Sequence, residues 1–189
     1  MRGQSHVITG ISTAAVVTSA EFAILHLDMP GSVKTAADTV KTFFITDPHL
    51  PVWITVMTGI LLYILGVLLP DIDTPYSAIG RRIHIPFKHR TWTHAVWFPL
   101  LFGIAGIFFK PLFWLGMGML VHDFWDSLSA SGIHWFYPFR KDKTEHIFKL
   151  YHTGKTSERV VAAVSVVLAV VSVLLTIWLV YHPFDIVFR

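Results

Sequence analysis

Imidazole and carboxylate groups recur in three short runs of this chain: Pro70-Asp71-Ile72-Asp73, His89-Arg90-Thr91-Trp92-Thr93-His94 and His122-Asp123-Phe124-Trp125-Asp126. With His6 near the start, they supply the mix of nitrogen and oxygen donors that holds a divalent metal ion. Cysteine is absent, so thiolate ligands, thiol nucleophiles and disulfides are excluded. His122 and Asp126 stand at i and i+4, on one face of a helix. Asp71 and Asp73 follow a proline where the helix loosens into a turn, so one carboxylate can ligate while the other orients a histidine. His89 and His94 straddle a predicted loop-to-helix boundary, and Arg90 beside them is placed to meet an anionic substrate.

The elements that must position these groups are membrane-length segments. The chain has 189 residues, of which 53% are hydrophobic and 14% charged, and its mean hydropathy is +0.59. An ordinary soluble domain carries about 25% charged residues, so the composition describes one integral membrane domain, residues 1–189. The fold class is all-α, a polytopic helical bundle. Five spans are predicted: Val7 to Leu27, Val52 to Leu69, Ala95 to Phe109, Leu112 to Leu128 and Val160 to Tyr181, against the roughly 17–25 apolar residues a span needs. The third is short, and with the fourth it can form a hairpin turning at Lys110-Pro111. The first is read as a retained span and not as a cleaved signal peptide.

With the N-terminus inside, eleven Lys and Arg residues fall in inner segments: Arg2, Arg81, Arg82, Lys88, Arg90, Arg140, Lys141, Lys143, Lys149, Lys155 and Arg159. Four fall outside, at Lys34, Lys41, Lys110 and Arg189. The positive-inside rule therefore puts the N-terminus in the cytoplasm. That orientation gathers His6, Asp71, His94, His122 and Asp126 at the cytoplasmic ends of their helices, with His122 a turn or two deeper than Asp71. The pI near 9.3 reflects orientation and anionic lipid headgroups rather than nucleic acid, because the basic residues flank apolar segments.

Each residue also has a structural alternative. His6 alone would be an ordinary interfacial histidine, and His94 a first-turn residue of a helix capped by Thr91 or Thr93. Asp71 and Asp73 sit at the unfavourable end of a helix dipole, which weighs toward function. His122, Asp123 and Asp126 share one apolar helix, where unpartnered charges are expensive. Glu21 and His26, in the outer half of the first span, are read as structural. His49, His134, His146, His152 and His182 are read as loop histidines. Trp53, Trp135, Tyr137 and Tyr181 fit an interfacial aromatic belt, and Gly103, Gly106, Gly116 and Gly118 fit close helix packing.

His6, Leu68-Leu69-Pro70-Asp71-Ile72-Asp73, the His89–His94 run, and His122 to Asp126 followed by Ser129, Gly132 and Pro138-Phe139 together resemble the YdjM family, also called DUF457, of inner-membrane metal-dependent hydrolases. The similarity covers roughly residues 6–139. The basic loop 129–159 and a C-terminal anchor helix over 160–181 extend beyond it. The resemblance implies a multi-pass protein of a bacterial-type inner membrane whose histidines and aspartates form a metal-dependent hydrolytic site. Trp92 inside the His-Arg motif and Asp123 beside His122 depart from the common pattern and bear on substrate preference.

The expected chemistry is phosphoester hydrolysis on a phosphate-bearing lipid. One or two divalent ions, zinc or manganese favoured and magnesium possible, are expected on His6, Asp71, His94, His122 and Asp126. Asp73, His89 and Arg90 are the expected catalytic groups, orienting ligands, moving a proton and meeting substrate. Arg81, Arg82, Lys88 and Arg90 are expected to hold phosphate. Two rivals stand beside this: a transporter or proton relay, with Glu21 and His26 as its outer half, and a metal-stapled structural protein. Ionisable residues concentrated at one side disfavour the first, and more ligands than one closed four-ligand shell needs disfavour the second.

Overall fold

The computed structural model describes residues 1, 3–27, 29–46, 50–77, 79–83, 85–141 and 144–181. Arg2, His49, Lys143, His182 and Arg189, all named from the sequence, lie outside the described residues. The helices are α1 (Gly3–His26), α2 (Gly31–Ile45), α3 (Val52–Leu68), α4 (Trp97–Phe108), α5 (Lys110–Ser127) and α6 (Thr156–Tyr181), with 3₁₀ turns at Leu69–Asp73 and Trp92–His94. The protein is all-helical, in keeping with a helical membrane bundle.

Three of the five expected spans are long, apolar helices able to cross a membrane: Gly3–His26, Val52–Asp73 and Thr156–Tyr181. The remaining pair takes the hairpin form that the sequence allows. α4 has 12 residues and so reaches only about 18 Å, short of a hydrocarbon core of about 30 Å. It starts at Trp97 because Thr91 to Ala95 form a tight turn whose Thr93 and His94 side chains are committed elsewhere, so neither threonine caps it. It ends where Phe109 turns extended ahead of Pro111, which opens α5. α4 and α5 are therefore a hairpin, with Lys110, Asp123 and Asp126 all on α5. α2 departs from the sequence pattern; it starts directly after Pro30 and fills what reads as a loop.

Small residues set the closest helix approaches. A Cβ on Gly66 of α3 would strike the Leu115 carbonyl of α5, and one on Gly118 would strike the Tyr63 carbonyl. The two backbones thus touch, and this contact brings His122 beside the end of α3. Gly106 and Gly116 pack the α4–α5 hairpin in the same way, against Phe113 and Pro99, whereas a Cβ on Gly103 would meet open space. α1 crosses α3 with the Tyr63 hydroxyl donating to the Gly10 carbonyl at 2.8 Å. Trp125 Nε1 donates to Thr13 Oγ1 at 3.1 Å, tying α5 to α1. α6 runs parallel to α1, and Thr176 Oγ1 donates to the Ser19 carbonyl at 3.3 Å.

The chain between α5 and α6 folds back over the end of α5. Ala130 N–H donates to Tyr151 O (2.8 Å), Leu150 N–H to Leu128 O (2.9 Å) and Ile147 N–H to Ser127 O (2.9 Å). Ile133 and Tyr151 are fully buried beneath it. At the other end of the bundle, α2 meets the α4–α5 turn, with Lys110 Nζ 3.2 Å above the Phe43 ring.

Candidate metal centre

Pro70 lacks the backbone donor an α-helix would use, so α3 tightens into the 3₁₀ turn that turns Asp71 and Asp73 into the bundle. Both are buried, as are His6, His94, His122, Asp123 and Asp126. Four separate elements therefore converge: the start of α1, the end of α3, the Trp92–His94 turn and the last turns of α5. His122 meets Asp71 at the same level, Nε2 to Oδ1 3.8 Å, so the greater depth expected for it is absorbed by the side chains.

The hydrogen-bond network fixes the tautomers. His122 Nδ1 lies 2.7 Å from the Val67 carbonyl, which can only accept, so Nδ1 carries the proton and Nε2 a lone pair. Thr93 Oγ1 donates to Asp73 Oδ2 at 2.5 Å, which leaves its lone pair to accept from His94 Nδ1 at 3.0 Å. His94 Nε2 is then also a lone pair. These two nitrogens face each other at 3.2 Å, an arrangement that is repulsive until a cation or proton sits between them. Burial holds the His94 imidazole well below its usual pKa, hence neutral and able to donate electrons.

Three further groups point to the same place. His6 stacks on His122 with ring centroids 3.7 Å apart, and its Nε2 lies 3.3 Å from Asp126 Oδ1 and 4.0 Å from Asp71 Oδ2. Neither His6 ring nitrogen has a hydrogen-bond partner, and Asp126 Oδ2 is ion-paired with the Arg90 guanidinium. Asp126 Oδ2 is 3.7 Å from His94 Nε2 and 3.9 Å from His122 Nε2. Two donors on one ion stand no farther apart than about 4.2 Å, twice a bond of about 2.1 Å. All of these separations fall within that bound. His6, Asp71, His122 and Asp126 form one set able to hold a metal ion, and His94 adjoins it. Lone pairs without partners in a buried site are what a cation would satisfy, so the residues fit a divalent ion.

Around this set sits a supporting layer. His89 Nδ1 donates to Asp73 Oδ1 at 2.7 Å, and the His89 side chain is 41% exposed, so it reaches from the buried carboxylate toward solvent. Asp73 thus serves two histidines, His89 directly and His94 through Thr93. Arg90 has a left-handed backbone, φ 65°, which aims its N–H at Asp73 Oδ2, 3.3 Å away. Its guanidinium reaches Asp126 Oδ2 at 3.1 Å, Ser129 Oγ at 3.0 Å, the Gly132 carbonyl at 2.9 Å and Thr153 Oγ1 at 3.2 Å. Arg90 is therefore spent on bracing Asp126 and the covering loop. Arg81, Arg82 and Lys88 are exposed in the 74–91 loop, with the Arg81 Nε donating to the Ser77 carbonyl at 3.3 Å.

Some contacts carry no sequence signal. The Met1 amino nitrogen contacts Asp126 Oδ1. The Tyr151 hydroxyl donates to the Trp125 carbonyl at 2.7 Å and stands 3.4 Å from Asp126 Oδ1, and burial pushes its pKa up. Both come from segments with no metal-ligand spacing. Asp123, which in the sequence is only an added acid, is fully buried near His94 and His122 with neither oxygen hydrogen-bonded. Glu21 and His26 do not join the cluster: Glu21 lies about 22 Å along α1 from His6, and His26 Nδ1 donates to its own Phe22 carbonyl at 2.8 Å.

The model of the YdjM inner membrane protein family matches residues 1–183. The chain belongs to the YdjM family. As a YdjM family member it is an inner membrane protein, and all the clustered residues lie inside the matched range. No curated protein sequence and no solved structure matches the chain.

Proposed function

We propose that this YdjM family member is a multi-pass, membrane-bound, metal-dependent hydrolase that cleaves a phosphate ester of a lipid at the cytoplasmic face. The observation that carries the reading is the pair of facing imidazole lone pairs, His94 Nε2 and His122 Nε2, 3.2 Å apart in a buried cluster with Asp71 and Asp126 beside them. His6, Asp71, His94, His122 and Asp126 would hold the ion. A bound divalent ion would polarise a phosphoryl oxygen and make a water acidic near neutral pH.

The chain's own residues supply the rest. Thr93 and Asp73 keep His94 in the tautomer that presents Nε2, a link of the kind that raises ligand basicity. His89, paired with Asp73 and open to solvent, is placed to accept a proton and pass it outward. Arg90 holds Asp126 in position through Oδ2. Arg81, Arg82 and Lys88, exposed on the neighbouring loop, form a basic rim suited to a phosphate arriving at headgroup level. With the N-terminus inside, the cluster lies on the side of the membrane where cytoplasmic phospholipid and polyprenyl phosphate headgroups are found.

The test incubates the detergent-solubilised full chain with a panel of phospholipids and polyprenyl phosphates in zinc, manganese or magnesium, following released phosphate or headgroup. Metal-dependent turnover, abolished by a chelator and by Asp126→Ala, is the expected result. A panel without turnover, together with a bound ion closed by four protein ligands, would transfer the site to a structural role.

A further inference from the structure

A second feature lies on the opposite flank of α1 from the metal centre. Between the first turns of α1 and α6 runs a groove of about 390 Å³, within the size range of ligand sites. Its chemistry is graded along the helix axes. At the mouth stand Gln4 and Ser5 from α1, Lys155 just before α6, and Glu158 and Arg159 in its first turn. One to three turns deeper the lining is apolar, with Ile8 facing Ala162, Ala163 and Val166. Val166 is seven residues past Arg159, about 10 Å further into the bilayer.

Lys155 immediately precedes α6 and Arg159 lies in its first turn, and both line the groove. Both are exposed, and among the described residues neither forms an ion pair. Glu158, the acid between them, also lines the groove; its side chain is buried and accepts the Gly154 N–H at 2.5 Å, which leaves two exposed cations at the mouth against one carboxylate. The small side chains of Ala162 and Ala163 leave the apolar floor open.

We infer that this groove binds an anionic phospholipid, its phosphate between Lys155 and Arg159 and one acyl chain along Ile8, Ala163 and Val166. A soluble anion would use the mouth and leave the floor bare. A zwitterionic lipid would use the floor and gain little from two unpaired cations. Only an anionic lipid matches both halves. The inference rests on the membrane setting and not on hydrolysis, since the groove lining includes none of the metal-centre residues.

The experiment is native mass spectrometry of the full chain released from nanodiscs containing phosphatidylglycerol or phosphatidylcholine. The wild type should retain phosphatidylglycerol selectively. The double variant Lys155→Gln/Arg159→Gln should lower that retention by about 10- to 30-fold, from about 1 kcal/mol per basic residue. Ala163→Phe, which fills the floor and leaves both charges, should lower it independently. Far-UV circular dichroism and bound-metal content read alongside report folding and the metal centre separately from lipid retention. Equal retention of phosphatidylcholine, unchanged retention in both variants, or displacement of the lipid by millimolar inorganic phosphate would each overturn the inference.

Discussion

The two ends of the same helices treat ionisable groups in opposite ways. At the outer end, His26 bonds to its own helix at the Phe22 carbonyl and stacks on Phe22, 3.9 Å between ring centroids. Lys110 rests over the Phe43 ring. Both of these groups are satisfied close by, while Glu21 in the same half of α1 keeps one buried carboxylate oxygen without a hydrogen bond. At the inner end, His6, Asp71, His94, His122 and Asp126 come from four different elements, and lone pairs face lone pairs. A membrane helix tolerates a polar group that is satisfied locally; a set of donors converging from four elements is one that could hold a cation in common.

That contrast can be broken most forcefully at the inner end. His122→Ala or Asp126→Ala should lower divalent-metal affinity by more than about 100-fold, since even a supporting partner costs about 10- to 100-fold. Isothermal titration of the apo-protein measures it, and near-wild-type affinity in both would remove the distinction between the ends.

Asp73→Asn tests the layer behind the ligands. It should cost about 10- to 100-fold in metal affinity, because His94 and His89 both lose the carboxylate that fixes their tautomers. An unchanged affinity would mean Asp73 is only a helix-end carboxylate.

Gly66→Ala tests how the centre is assembled. The new methyl would collide with the Leu115 backbone and separate α3 from α5, at about 1–3 kcal/mol for overpacking. A lowered thermal midpoint with weakened metal binding is expected, since Asp71 and His122 ride on the two helices; a full-strength site would show that the cluster does not depend on that contact.

The smallest effects belong to the outer end. His26→Ala and Lys110→Gln should leave metal content unchanged and shift stability by no more than about 1 kcal/mol, the scale of an exposed cation–π contact. Metal loss from either would show that the ends are coupled.

Much of this was legible in the sequence because the signals were local. Apolar length marked α1, α3 and α6, and the i, i+4 spacing marked His122 with Asp126. Of the two acids, one expected to ligate and the other to orient a histidine, Asp71 lies toward His122, and Asp73 bonds to His89 and Thr93. What escaped was set by tertiary contact. The commitment of Arg90 to Asp126, Ser129, Gly132 and Thr153 depends on a loop folding back 39 to 63 residues later. Gly66, the closest approach of α3 to α5, sits in an apolar run where a glycine carries no signal of its own. α2 follows Pro30 with a mixed composition that reads equally as loop.

The central claim is that the buried histidines and aspartates hold a divalent ion. Elemental analysis of the purified full chain combined with anomalous scattering from its crystals tests it directly. The account predicts an anomalous peak within bonding distance of His6, His94, His122, Asp71 and Asp126, at about 2.0–2.2 Å. Protein that stays metal-free after supply of zinc and manganese, or a peak elsewhere in the molecule, would contradict it.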